Sequence, residues 1–257
     1  MFKHIFSADL LIIVSAFWMN GKKNNGGNFG NEKSFHSFVL QIMTDIDNKE
    51  RIKLRANDLF MKFGIRSVSM DDIANHLGMS KKTIYQYYAD KDELVDAVID
   101  HEIAHNEACC ELDKGKSENA VHELFLAMDM MLEMFRTMNA SVLHDMQKYH
   151  PRAFQKFHKH KNDYLYNVIR ENLVRGIQED LYRDDMNINI VARYRIDTML
   201  LCFDPEFQAK TKNNMADIAQ EILLLYTHGL VNAKGYKLIL KYKQERTKKT
   251  VSDAKIK

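Results

Sequence analysis

The chain has 257 residues, 46% of them hydrophobic, and only two prolines, Pro151 and Pro205, so it can bury one or two cores and offers long runs free of helix breakers. Its 37 Lys+Arg against 35 Asp+Glu give a formal net charge of +2, which excludes nucleic-acid binding driven by overall charge and throws the question onto local placement. Three cysteines, Cys109, Cys110 and Cys202, lack a framework spacing, which excludes a disulfide-stapled secreted domain and points to the cytoplasm.

The first segment differs in texture from the rest. Leu10 to Trp18 is apolar, but even extended to Ile5 through Met19 it includes Asp9 and falls short of the roughly 20 residues that span a bilayer. No A-x-A-like cleavage site follows it, and an Asn/Gly stretch, G-K-K-N-N-G-G-N-F-G-N, comes next. Residues 1–42 are therefore expected to lie outside the fold, as an extension upstream of a natural start at Met43, and no membrane partner is expected.

From Asn48 the pattern becomes helical: Ile52, Ala56, Leu59, Phe60 and Phe63 form one apolar stripe, and Gly64 ends the helix. Ser69 is placed to cap a second helix with Asp72 at its N3 position, and Ile73, Ala74 and Leu77 supply its buried face. Gly78 offers a left-handed closing residue. Ser80 caps a third helix whose inward pair is Ile84 and Tyr88. Asp90 caps a fourth, with Glu93 as its capping-box partner. Capped short helices at this spacing make a tri-helical unit built around a helix-turn-helix.

Helix three is short, and Lys81, Lys82, Thr83, Gln86 and Tyr87 project from its solvent face. Gln86 suits an adenine edge, Thr83 a base or a thymine methyl, and Lys81 or Lys82 a guanine or a phosphate. Arg66 adds a candidate phosphate contact. Asp71 and Asp72 must face away from phosphate or act as caps at the positive helix end.

The run A-N-D-L-F-M-K-F-G-I-R-S-V-S-M-D-D-I-A-N-H-L-G-M-S-K-K-T-I-Y-Q-Y-Y-A-D-K-D-E-L resembles the N-terminal domain of the TetR/AcrR family of bacterial transcriptional regulators. Its landmarks are F-x-x-x-G, D-I-A, the L-G-M-S turn, T-I-Y-x-Y-Y and K-D-E-L. The resemblance implies backbone-phosphate contacts at Tyr85 and Lys91, and places Ser69 and Met70 where helix two begins against the opposite strand. Weaker similarity covers Gly176 to Asp185 and Thr227 to Gly235. The family's fold implies an all-α protein with a DNA-binding domain at 43–96 and a ligand-sensing and dimerisation domain at 97–257. Operator duplex, a second copy of the chain and a small-molecule effector are the implied partners; no cofactor is called for. Downstream helices are expected at Asn119–Met138, Ser141–Tyr149, Arg152–Glu179, Ile188–Phe203, Asn213–Asn232 and Tyr236–Lys249. By the same resemblance, Ile188–Phe203 and Asn213–Asn232 form the dimer bundle, although their apolar stripes fit an internal core equally well.

One motif points elsewhere. His101-Glu102-Ile103-Ala104-His105 satisfies H-E-x-x-H, in which two histidines on one helical face hold zinc and the glutamate serves as general base. It raises a zinc hydrolase as an alternative, beside a helical oligomerisation module that binds no DNA. Leu94, Val98, His101 and His105 also fall on one stripe, so the histidines are expected to continue the inward face of helix four. No third ligand stands out, and neither metal nor catalysis is expected. Met128, Met130, Met131, Met134 and Met138 are expected in the core, and His144, His150, His158 and His160 on the surface. The basic Lys234 to Lys257 stretch is expected to be solvated.

Overall fold

The structure, a computed structural model, describes residues 32–255, and their side chains from 44 to 247. Much of the segment expected to lie outside the fold, residues 1–31, is therefore outside the described residues. The chain divides between Lys53 and Leu54 into two compact units. Of the first, residues 32–53 form the leading part of helix α1 (Glu32–Phe63), which thus begins before Asn48. Within it Lys53 bridges Glu50 at 2.8 Å and Arg51 donates to Asn48 at 3.1 Å.

The second unit opens with the remainder of α1, then α2 (Met70–Leu77), α3 (Lys81–Tyr87) and α4 (Lys91–Lys116). Ala56, Leu59 and Phe60 are buried as the stripe predicts, but Phe63 is exposed beneath the Lys62 ammonium. Gly64 stops α1 in a left-handed conformation, φ 86°. The site is also crowded: a Cβ there would lie 2.5 Å from Ser141 Oγ.

Eight further α-helices follow in this unit: α5 (Ala120–Thr137), α6 (Ser141–Tyr149), α7 (Pro151–His160), α8 (Tyr166–Gln178), α9 (Ile188–Thr198), α10 (Pro205–Thr211), α11 (Met215–Leu230) and α12 (Ala233–Lys255). The single helix expected over 152–179 is two, joined by a π turn at Lys161–Leu165. Its expected neighbour, 188–203, ends earlier, followed by a 3-10 turn at Leu201–Phe203. Short α10 was not anticipated. No described helix is long and apolar enough to cross a membrane.

Among the described residues downstream of α4, two apolar clusters tie the helices together. One joins Phe125, Met128 and Leu132 of α5 to Leu173 of α8, Ala192 of α9, Leu223 and Tyr226 of α11, and Ile239 and Tyr242 of α12. The other gathers Phe135, Cys202, Met215, Ile218 and Ala219. Met131 packs against both. Only Met128 of the methionines expected in the core is fully buried, while Met134 is exposed.

The two segments with weaker family similarity meet. Tyr182 and Val231 form an isolated antiparallel bridge, with Arg183 N–H donating to Leu230 O at 2.9 Å and Asn232 N–H to Leu181 O at 3.0 Å. Gly176 and Gly235 are needed there, because a Cβ would collide with the Tyr182 ring at one and with Leu181 O at the other. Tyr182 itself is fixed by its hydroxyl, which donates toward Ala120 O at 3.1 Å and Asn172 Oδ1 at 3.0 Å.

Helix α7 lies along α4 through a row of ion pairs and histidine–carboxylate hydrogen bonds. Asp92 faces His150 at 2.5 Å, Asp96 faces Arg152 at 3.1 Å, Asp100 faces Lys156 at 2.7 Å, and Glu107 faces His160 at 3.2 Å. His150 and His160 are buried, which corrects the expectation that these histidines lie on the surface. The pairing carboxylates all belong to α4, so burying the rings of His150, which caps α7, and His160, which ends it, leaves neither without a polar partner.

Candidate nucleic-acid interface

The reader's geometry is set by its caps. Ser69 Oγ accepts from Asp72 N–H at 3.1 Å, and Asp72 Oδ2 accepts in return from Ser69 N–H at 2.8 Å and from its hydroxyl at 2.6 Å. These bonds hold the Asp72 carboxyl below its usual pKa. Gly78, at φ 65°, closes α2, and Ser80 Oγ accepts from Thr83 N–H at 3.1 Å to start α3. A cap of this kind contributes about 1 kcal/mol. Ile84 and Tyr88 are buried, so the register of α3 is fixed by the expected pair. At α4, Asp90 accepts from Glu93 N–H at 2.8 Å, but Glu93 reaches past the cap to Ala89 N–H, at 2.7 Å.

With that register, Lys81, Lys82, Tyr85 and Gln86 are exposed along α3. Lys82 and Gln86 have no hydrogen-bond or ionic partner among the described residues. Lys81 is engaged: its ammonium sits 2.8 Å from Asp71 Oδ2, and that hydrogen bond and charge raise its pKa above the ordinary lysine value. Asp71 is thus neither cap nor bystander but a lock on a basic side chain. Thr83 is half-buried with Oγ1 2.8 Å from Ser80 Oγ, and Tyr87 is also half-buried. Arg66 is exposed, with its guanidinium 5.1 Å over the Tyr149 ring.

Three expected contacts look different in the fold. Met70 is 5% exposed, so its side chain belongs to the small core, as an apolar residue opening α2 packs inward. The Ser69 hydroxyl is occupied by its cap. Lys91 is half-buried, its ammonium donating to Ile65 O at 2.6 Å and lying 5.8 Å from the Phe60 ring centroid. Burial holds its pKa below the ordinary lysine value. It braces the corner between α1 and α2 from the start of α4.

The sequence reading missed the other brace. Asp145 of α6, itself buried, accepts from Arg66 N–H at 2.9 Å and from the Ser141 hydroxyl at 3.3 Å. A lone aspartate inside an amphipathic helix carries no motif, so only the fold reveals it.

The H-E-x-x-H residues do not converge on a common point. Glu102 accepts from Asn57 Nδ2 at 2.7 Å. His105 is exposed, with Nε2 3.7 Å from Cys109 Sγ, which corrects its expected inward position. Among the described residues no three His, Cys, Asp or Glu side chains are placed to share a metal ion.

Residues 55–98 match the model of bacterial regulatory proteins of the tetR family. An uncharacterized HTH-type transcriptional regulator of Bacillus subtilis, YvaF, is 26% identical over 172 residues, covering 64% of this chain and 86% of the relative. Among solved structures, a TetR-family regulator from Agrobacterium tumefaciens superposes with a TM-score of 0.62 at 15% identity, over 73% of this chain and 100% of that one. FadR of Bacillus subtilis, solved with stearoyl-CoA, gives 0.52 at 17% identity, over 70% of this chain and 98% of that one.

Proposed function

The chain belongs to the TetR family of bacterial regulatory proteins and is a DNA-binding transcriptional regulator, and from that premise we propose a dimeric, cytoplasmic repressor that a small-molecule effector releases from its operator. The observation that carries the DNA contacts is the outer face of α3, where Lys82, Tyr85 and Gln86 stand exposed on a helix whose register Ile84 and Tyr88 hold from inside. Gln86 reads base edges in the major groove; Lys82, Tyr85 and Arg66 hold phosphates, with Lys81 available once it leaves Asp71. Thr83 and Tyr87 line the same face, and Ser69 and Lys91 act by holding the frame, Lys91 within reach of a phosphate at its edge.

The dimer reading is supported by apolar side chains left uncovered on α9 and α11. Ile190 is 67% exposed and Leu225 68%, with Tyr194 exposed beside Ile190. Two copies joined through these helices would present two readers to successive half-sites. That FadR was solved with stearoyl-CoA supports a small-molecule effector for this fold.

The test is duplex binding by the full chain, with site selection from a random library, across a salt series. A regulator selects a two-part site and loses affinity linearly in log salt. Selection of no site, with dimerisation intact, would leave only an oligomerisation module. Loss of duplex binding on treatment with a chelator would instead revive the zinc reading.

A further inference from the structure

The loop that joins α1 to α2 in the reader is gripped by α6 through both the backbone and the side chain of Arg66. Asp145 Oδ2 accepts from Arg66 N–H at 2.9 Å. One turn further along α6, the Tyr149 ring meets the Arg66 guanidinium, with Cζ 5.1 Å from the ring centroid. Lys148 places its ammonium 5.4 Å from the centroid of that same ring. A reader residue and a residue of α6 therefore hold two full positive charges at one aromatic side chain.

Neither charge is compensated from within the chain. Arg66 and Lys148 are both exposed, and neither has a carboxylate within ion-pair distance among the described residues. The next helix differs, since Arg152 and Lys156 of α7 are taken up by Asp96 and Asp100 of α4. Asp145, the only carboxylate of α6, is buried and accepts from Arg66 N–H and the Ser141 hydroxyl, while Asp92 of α4 is bonded to His150. The ring quadrupole attracts a cation but carries no net charge. Tyr149 is 36% exposed, so it orders the two cations without covering them.

We propose that Arg66, Lys148 and Tyr149 form a phosphate clamp, through which α6 adds a contact of its own to the operator backbone beside the helix-turn-helix. Its occupant is the DNA strand that meets the start of α2: Arg66 stands three residues before Ser69, the cap of that helix, so the clamp is continuous with the reader's surface. A duplex presents about one phosphate charge per 1.7 Å of its axis, a spacing that suits two cations ordered by a common ring. The guanidinium fork holds two oxygens of one phosphate, and the ammonium serves the same phosphate or its neighbour as a point charge. Tyr149 is the positioning residue, fixing where Arg66 points and keeping Lys148 beside it. The inference rests on the reading of the chain as a DNA-binding regulator, and extends its contact surface beyond residues 55–98, the part that matches the family model. It also gives α6 a direct hold on affinity, because a displacement of α6 carries Lys148 away and unseats Arg66 together.

The test measures duplex binding by the full chain through fluorescence anisotropy across a salt series, on the selected site and on a random duplex, with thermal melting alongside. Lys148→Ala should remove one phosphate contact per subunit, two per dimer, and flatten the dependence of log affinity on log salt by about 1.8, so that the loss between 50 and 200 mM salt is about 12-fold smaller than in the unaltered chain. The change should be the same on both duplexes, and the melting temperature should hold, because the side chain is exposed. Lys148→Arg should keep the slope. Tyr149→Leu should flatten it through both cations, whereas Tyr149→Phe, which keeps the ring, should retain it; a merely structural role for Tyr149 would lower the melting temperature and leave the slope alone. Lys148→Ala carries the test if Tyr149→Leu does not fold. With duplex binding intact, three results each overturn the clamp and leave the regulator reading standing: an unchanged slope in Lys148→Ala, which leaves the pair to solvent or another partner; a slope that falls as far in Tyr149→Phe as in Tyr149→Leu; or an effect confined to one sequence. Failure of the unaltered chain to bind either duplex overturns both.

Discussion

Replacing Asp71 with asparagine should strengthen DNA binding. Lys81 lies on the outer face of α3, but its ammonium is spent on Asp71 at 2.8 Å, and Asp71 adds a negative charge to the face that meets phosphate. Asp71→Asn frees the lysine for one further phosphate per subunit and hence two per dimer. Each neutralised phosphate steepens the dependence of log affinity on log salt by about 0.9, so the slope should steepen by about 1.8. Between 50 and 200 mM salt this amounts to an additional loss of about 12-fold, from a higher starting affinity at low salt. The gain should be nearly the same for specific and random duplexes, because phosphates carry no sequence. The Ser69–Asp72 capping box is untouched, so the melting temperature should stay nearly constant. Fluorescence anisotropy on both duplexes across a salt series measures the slope, and Lys81→Ala in the Asp71→Asn background should cancel the gain. An unchanged slope, or a gain confined to one sequence, would refute this account of the pair.

Gln86→Ala should broaden the selected site at one position per half-site while leaving the salt slope unchanged, whereas Lys82→Ala should flatten the slope and keep the site; site selection and anisotropy separate the two. Gly176→Ala should destabilise the fold by about 3 kcal/mol, since its Cβ meets a Tyr182 ring that two hydrogen bonds hold in place. Gly115→Ala, where a Cβ has open space, should be neutral or stabilising by up to ~1 kcal/mol, and urea unfolding compares the pair. His160 gives a pH signature. Glu107 Oε1 at 3.2 Å and Asn106 Oδ1 at 3.0 Å favour its charged form, but burial outweighs them and holds its pKa below 6.5. As pH falls below 6.5 the unfolded chain takes up that proton first, so stability declines until the folded-state pKa is passed. His160→Gln should remove that part of the acid slope; an identical slope in the variant would show that burial and Glu107 cancel, and a steeper one that Glu107 wins.

What could be read beforehand was local. Ser69, Gly78, Ser80 and Asp90 act within three or four residues of themselves, so side-chain type and spacing sufficed to place three helices and their turn. The inward pair Ile84 and Tyr88 followed from the same arithmetic. Short α10 was legible too, because Asp204 caps it and Pro205 stands at its first position, in the gap left between the helices expected at 188–203 and 213–232. The burial of Met70 follows from its apolar side chain at the start of α2, not from its place in the family pattern. The braces on the reader could not be read at all. Asp145 meets Arg66 N–H across 79 residues, and nothing in an isolated acidic residue announces a partner at that distance.

These long-range braces bear on how an effector could act. The reader's corner at Gly64 to Arg66 is held from two directions, by Lys91 at the head of α4 and by Asp145 on α6. One turn later on α6's side, His150 joins the same region of α4 through Asp92, and the row of polar pairs continues down to Glu107 and His160. A shift of α7 along α4 would therefore have to break pairs in sequence, and would pull on the reader only through its first members. Such a ladder has discrete arrangements rather than a continuum of them, as a two-state coupling requires. An effector acts on the ladder only to the extent that it binds one arrangement more tightly than the other.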